Sequence, residues 1–287
     1  MLLKSVCRNC PITAVRGKCR HLGPRSAVPR NAALLQCPSA SKSGIEMSRD
    51  RIFAEAAAAA GSFEFNDEVA DVFPDMLRRS IPGYEASIQA IGTLAARYVQ
   101  PGTRCFDLGC SLGAATLAMR KNIAAPGYEI IAVDLAPAMI ERCRKIVAAE
   151  KNDVDVSLIQ DDVRRITIER ASMVVMNYTL QFLSVAERDA MIGKIYDGLI
   201  DGGIFVLSEK VVDEDSNVER LLVEMHHEFK RQNAYSDLEI SRKRTALEDV
   251  LIPESITTHR KRLENAGFRH VGVWLRHFNF VSIVAAR

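Results

Sequence analysis

Phe106-Asp107-Leu108-Gly109-Cys110-Ser111-Leu112-Gly113 decides how this chain is read. An apolar run of strand length ends in a glycine, and a second glycine opens a helical pattern over 113–122. Glycines at a strand-to-helix junction let the backbone approach a ligand closely. Working outward, 104–109 reads as a strand, 129–135 as a second strand, and 137–150 as a helix with Pro137 in its first turn. Together these form a βαβ unit.

Further apolar runs predict strands over 154–160, 172–178, 204–209, 270–276 and 280–285. No helix fits between the last two, so they should pair as an antiparallel hairpin turning near 276–279. Alternating strands and helices specify an α/β protein with a mostly parallel sheet. Seven strands ending in an antiparallel pair match the Rossmann-like class I methyltransferase fold. Residues 213–266 read as a mostly helical insertion before that pair, longer than a simple crossover and carrying Arg242-Lys243-Arg244. Residues 51–98 read as helical, interrupted at Ile81-Pro82-Gly83-Tyr84.

Composition narrows the function. The chain has 287 residues and a net charge of +2, but 1–46 hold eight Lys or Arg and one acid, Glu46. The body keeps 30 basic and 35 acidic residues, a poor balance for contacting nucleic-acid phosphates. No run reaches the roughly 18 uncharged apolar residues of a membrane span. The expectation is a cytoplasmic protein without direct nucleic-acid or membrane binding. The basic segment 1–46 contains Cys7, Cys10, Cys19 and Cys37. Cys7 and Cys10 have the gap of a zinc knuckle, but no second pair follows and His21 is a weak ligand, so no metal is assigned. The segment reads as a disordered leader, a targeting peptide or an upstream extension, with 47–287 as one domain. A chain starting at Met47 is expected to retain full activity, and loss of activity on that truncation would refute the reading.

The decisive loop has more than one reading. Gly109 to Gly113 is G-x-S-x-G, the nucleophile elbow of hydrolases, with Ser111 as nucleophile and His226, His227, His259, His270 or His277 to complete a triad. Its place on the first strand of the sheet and the lack of a His-Gly-Gly-type oxyanion loop argue against it. A dinucleotide loop fails on spacing, because Ser111 stands where G-x-G-x-x-G needs its second glycine. An adenosine ligand without a pyrophosphate tolerates that serine. Asp134, ending the second strand, is placed to accept both ribose hydroxyls. Asp161-Asp162-Val163 offers a side chain and an amide to the adenine edge, and Asn177 faces the same crevice. The adjacent His226 and His227 point about 100° apart on a helix and cannot share a metal.

The body, residues 48–287, resembles the carboxy-S-adenosylmethionine synthase family. The resemblance lies in Val72-Phe73-Pro74-Asp75-Met76, Ile81-Pro82-Gly83-Tyr84, Asp107 to Thr116, Pro137 to Cys143, Leu180-Gln181-Phe182-Leu183, Met225-His226-His227 and Leu238-Glu239-Ile240-Ser241. It implies a transferase that makes carboxy-S-adenosylmethionine and phenylpyruvate from S-adenosylmethionine and prephenate. In the implied chemistry, prephenate aromatises with loss of carbon dioxide and hydroxide. Hydroxide then takes a proton from the sulfonium methyl, and the resulting ylide captures carbon dioxide. The resemblance also implies that the product is the donor for carboxymethylation of wobble uridine 34 in tRNA by a downstream carboxymethyltransferase. Its ligand contacts fall on Tyr84, Gly109, Cys110, Ser111, Asp134, Leu135, Asp162, Val163, Asn177 and Arg244. Tyr84 and Arg244 would hold the new carboxylate, and Arg244 of a homodimer could reach the site from a neighbouring subunit. An ordinary S-adenosylmethionine-dependent methyltransferase and a non-enzymatic carrier of carboxy-S-adenosylmethionine are the alternatives.

Overall fold

The computed structural model describes residues 49–54, 63–152, 154–248 and 250–287. The leader, its cysteines and Met47 lie outside these residues. One sheet organises them. Its strands are β1 Arg104–Leu108, β2 Glu129–Asp134, β3 Val156–Gln160, β4 Ala171–Asn177, β5 Leu199–Val212, β6 Glu254–Ser255, β7 His270–His277 and β8 Phe280–Ala286. The order is β3-β2-β1-β4-β5-β8-β7, with β6 on the end of β5. The pairs from β3 to β5 are parallel, whereas β8 runs antiparallel to both β5 and β7. This is the fold the strand pattern predicts, with one short strand added.

Side-chain alternation along the central strands builds two cores. Phe106 and Leu108 of β1, Val174 and Met176 of β4, and Phe205 and Leu207 of β5 enter one cluster. Their neighbours Cys105, Met173, Val175, Ile204 and Val206 enter the other, on the opposite face. Helices cover both faces: α1 Asp67–Ser80, α2 Tyr84–Tyr98, α3 Ala114–Asn122, α4 Pro137–Ala149, α5 Val185–Gly198, α6 Ser216–Gln232, α7 Asp237–Leu247 and α8 Ile256–Ala266. Chain order reverses between β1 and β4, and such a switch point opens a crevice at the carboxyl ends of the strands.

Several boundaries differ from the sequence reading. Helix α1 starts only at Asp67, because Asn66 caps it by accepting the Val69 N–H at 3.0 Å; residues 63–66 are not helical. Strand β5 begins at Leu199, not 204, through a register shift against β4 that absorbs the glycine pair Gly202-Gly203. The expected helical insertion 213–266 divides. Helices α6 and α7 form the excursion proper, β6 pairs with β5, and α8 packs on α5 as the crossover to β7. Strand β6 depends on a tertiary anchor: fully buried Arg188 donates to the carbonyls of Gln181, Leu183 and Ile252 and to the Glu254 carboxylate. Among the described residues no helix is long and apolar enough to cross a membrane.

Candidate functional site

The crevice is a cavity of about 1170 Å³. The loops after β1 to β4 form its floor, and the α1–α2 junction, α6 and α7 wall it in. All ten expected contact residues line it: Tyr84, Gly109, Cys110, Ser111, Asp134, Leu135, Asp162, Val163, Asn177 and Arg244.

The glycine loop is held tightly. The Gly109 and Cys110 N–H groups both donate to the Val133 carbonyl, at 2.8 and 2.9 Å. Gly109 has φ +85°, and a β-carbon there would lie 2.8 Å from Thr179 Cβ, so only glycine fits. Ser111 takes φ +48° and donates its N–H to Asp134 Oδ2 at 2.8 Å. The other Asp134 oxygen accepts the Ala136 N–H at 2.9 Å. Each carboxylate oxygen therefore keeps a lone pair for a ligand hydroxyl. Burial raises the Asp134 carboxyl above its usual range, against the pull of those amides. Leu135 is 66% exposed at the rim, presenting an apolar face.

Asp162 is not the open acceptor the sequence suggests. Its carboxylate is chelated by Arg164, whose Nε lies 2.9 Å from both oxygens, and this pairing holds it below the usual range. Its N–H is turned to the Asp161 carboxylate at 2.7 Å. The Asn177 Oδ1 is buried without a hydrogen-bond partner. The Tyr84 hydroxyl has no partner among the described residues, and burial raises its pKa. Ser111 contacts no histidine there, and His226 is tied by Nε2 to the Ser80 carbonyl at 2.8 Å, so a hydrolase triad does not assemble. Burial and the charge of Lys230 depress His226 to about 2, making it a neutral structural group.

The structure adds residues the sequence did not single out. Asp107, fully buried and bonded by the Thr116 hydroxyl at 2.6 Å, is pushed up to about 6 by burial. Its signal was an acid inside the glycine-loop strand. Four cations, Lys210, Lys230, Lys243 and Arg244, line the opposite wall. Arg244 has no acidic partner among the described residues, and neither does Lys210 or Lys230. Burial depresses Lys230 to about 7, helped by repulsion from Lys243 and Lys210. Lys243 itself is held by Ser80 Oγ at 3.0 Å and by Asp50 at 3.7 Å. The cavity thus has an acidic floor on β1 to β3 and, on β5, α6 and α7, a wall whose cations outnumber the acids Glu219 and Glu248.

Known proteins resemble this chain in sequence and in fold. A methyltransferase-domain family profile matches residues 106–203. The chain is 54% identical over 239 residues to a carboxy-S-adenosyl-L-methionine synthase of Escherichia coli K12, covering 83% of this chain and 97% of that one. A Klebsiella pneumoniae protein of the same description is 52% identical with the same coverage. Among solved structures, human N-acetylserotonin methyltransferase in complex with S-adenosylmethionine superimposes with a TM-score of 0.54 at 15% identity, over 82% of this chain and 57% of that one. A putative S-adenosylmethionine-dependent methyltransferase from Methanococcus maripaludis gives 0.52 at 21% identity, over 79% and 95%. These structural matches establish the fold.

Proposed function

The chain belongs to the carboxy-S-adenosyl-L-methionine synthase family, a group of transferases, and from that membership we propose that it makes carboxy-S-adenosylmethionine from S-adenosylmethionine and prephenate, releasing phenylpyruvate. The observation that carries this reading is the unpaired Arg244 guanidinium on the cavity that also contains the glycine loop. A planar guanidinium can take a carboxylate by two parallel hydrogen bonds, which a methyl group gives no use for.

The residues fit the nucleoside half of the ligand. Beside the glycine loop, Asp134 keeps two lone pairs for the ribose hydroxyls. Leu135 and Val163 supply apolar surface for adenine, with Asp162 at its polar edge. Asn177 and Asp107 face the amino-acid end. Tyr84 and Arg244 would hold the carboxylate. S-adenosylmethionine supplies the methyl carbon that is carboxylated. The chain contributes positioning and exclusion of bulk water, the main requirements when the co-substrate delivers both carbon dioxide and base. The cavity of about 1170 Å³ exceeds the roughly 300–1,000 Å³ typical of one drug-sized ligand, in keeping with two substrates.

We also propose a homodimer. Val218, Leu221 and Met225 make an exposed apolar stripe along α6, next to the helix bearing Arg244. Light scattering of Leu221→Glu should then report a monomer, and an unchanged mass would refute the interface. The product would serve a tRNA carboxymethyltransferase acting on uridine 34, placing this chain in the cytoplasm without direct nucleic-acid contact.

Mass spectrometry of the nucleosides formed from S-adenosylmethionine and prephenate tests the reaction. A product heavier by one carbon dioxide, appearing with phenylpyruvate, is expected. S-adenosylhomocysteine would return the chain to the ordinary methyltransferases, and bound carboxylated ligand without turnover would make it a carrier.

A further inference from the structure

The cationic wall holds more charge than one carboxylate needs. Lys230, in the last turn of α6, is 8% exposed, lines the cavity, and has neither a hydrogen bond nor an ion pair on Nζ among the described residues. An ammonium so placed costs several kcal/mol unless an anion meets it. Of the nearby acids, Asp50 serves Lys243, while Glu219, which also lines the cavity and accepts the Asp213 N–H at 2.8 Å, acts on Lys210 from beyond ion-pair distance. His226, one turn before Lys230, is fixed to the Ser80 carbonyl and so sets the face that α6 turns to the cavity.

Lys210 comes from a different element to the same wall. It lies on β5 directly opposite Phe280 in the antiparallel ladder, so both side chains leave the same face of the sheet. Phe280 belongs to a row of rings. Its centroid is 4.8 Å from His226 and 6.0 Å from Tyr178, and Tyr178 lies 6.5 Å from Tyr84. All four rings line the cavity.

We infer that Lys210 and Lys230, with Tyr178 and Phe280, form a subsite for an aryl or cyclohexadienyl 2-oxo acid. The rings receive the six-membered ring, and the two lysines hold the carboxylate of its 2-oxo acid side chain. Arg244 is left for the carboxylate that is transferred. This inference rests on the two-substrate reading and assigns the end of the co-substrate that does not react. Holding that end would orient the ring carboxylate toward Arg244.

The test compares Lys230→Met, Lys210→Met and Lys230→Arg with the wild-type protein. Two quantities are read: KM and kcat for prephenate, and calorimetric binding of phenylpyruvate to protein saturated with S-adenosylmethionine. Either methionine variant should weaken phenylpyruvate and raise KM for prephenate by about 10- to 100-fold, the worth of a hydrogen bond to a charged group. Affinity for S-adenosylmethionine should stay within about twofold, as expected when only co-substrate binding is lost. Lys230→Arg should recover most of the loss, which a purely structural role would not allow. Unchanged phenylpyruvate binding in both methionine variants would overturn the subsite, as would no binding by the wild type or a parallel fall in S-adenosylmethionine affinity. The parent reading fails separately, if the wild type makes no carboxylated product. Phenylpyruvate binding then still decides the subsite.

Discussion

Replacing Gly109 with alanine should damage the protein through two separable effects. The first is conformational, since φ +85° costs a residue with a β-carbon about 1–2 kcal/mol. The second is steric. The new carbon would lie 2.8 Å from Thr179 Cβ and nearer still to Oγ1 and Cγ2, so Thr179 must move bodily, at about 1–3 kcal/mol. Gly109→Ala should therefore lose about 2–5 kcal/mol of stability in urea denaturation, and displacement of the loop should weaken S-adenosylmethionine roughly 100-fold by calorimetry. Thr179→Gly removes the steric part alone. In a double-mutant cycle the pair should show about 1–3 kcal/mol of favourable coupling, with the conformational part remaining. Additivity within about 0.5 kcal/mol would refute the claim that Thr179 is what Gly109 accommodates.

Three further outcomes follow from named contacts. Arg244→Lys should weaken carboxy-S-adenosylmethionine about 10- to 150-fold while leaving S-adenosylmethionine nearly untouched, and equal weakening by calorimetry would remove Arg244 from the clamp. Arg188→Leu strands three carbonyls and part of the Glu254 charge, so it should cost about 3–5 kcal/mol in urea; a loss below about 1 kcal/mol would contradict its anchoring role. Lys230 titrates near 7 in the folded protein against 10.5 unfolded, among Lys243, Lys210, His226 and His227, with Arg244 also on this wall. Between those values the unfolded chain binds the extra proton, so stability attributable to Lys230 rises with pH. Lys230→Met should be more stable than wild type by about a few kcal/mol at pH 7 and lose that advantage toward pH 10, and a flat difference would oppose the assigned burial.

The parallel core was legible because β1, β2 and β4 are largely buried and mostly apolar, although Asp107 and Ser172 lie within them. Asp134 was legible for a related reason: an acid ending such a strand, after a glycine loop, stands at the switch point. The first residues of β5 were not, since Leu199-Ile200-Asp201-Gly202-Gly203 reads as a turn and joins the sheet only through a register shift. Strand β6 has two residues and no local signal; Arg188, 66 positions away, holds it. Helix α6 has apolar residues on both sides. Val218, Leu221 and Met225 are exposed, whereas Leu222, Val223 and Phe229 are half-buried on the side where His226 and Lys230 are buried. Apolar periodicity alone therefore does not single out Lys230.

The division of the cavity also divides the chain. The methyltransferase-domain profile ends at residue 203, and within it lie Asp107, Gly109, Ser111, Asp134, Asp162 and Asn177. Lys210, Lys230 and Arg244 all come later, on β5, α6 and α7. That matched stretch carries the acidic floor, suited to hydroxyls and a cationic sulfonium ligand. The part outside it carries the unpaired cations, suited to carboxylates. A methyl-transferring enzyme has no need to keep three cations unpaired in a confined space, because their mutual repulsion and desolvation oppose folding. On the proposed reading that cost is offset only when a dianionic co-substrate binds. On that reading the change from methyl transfer to carboxylation lies in the cations of β5, α6 and α7, with the nucleoside floor retained.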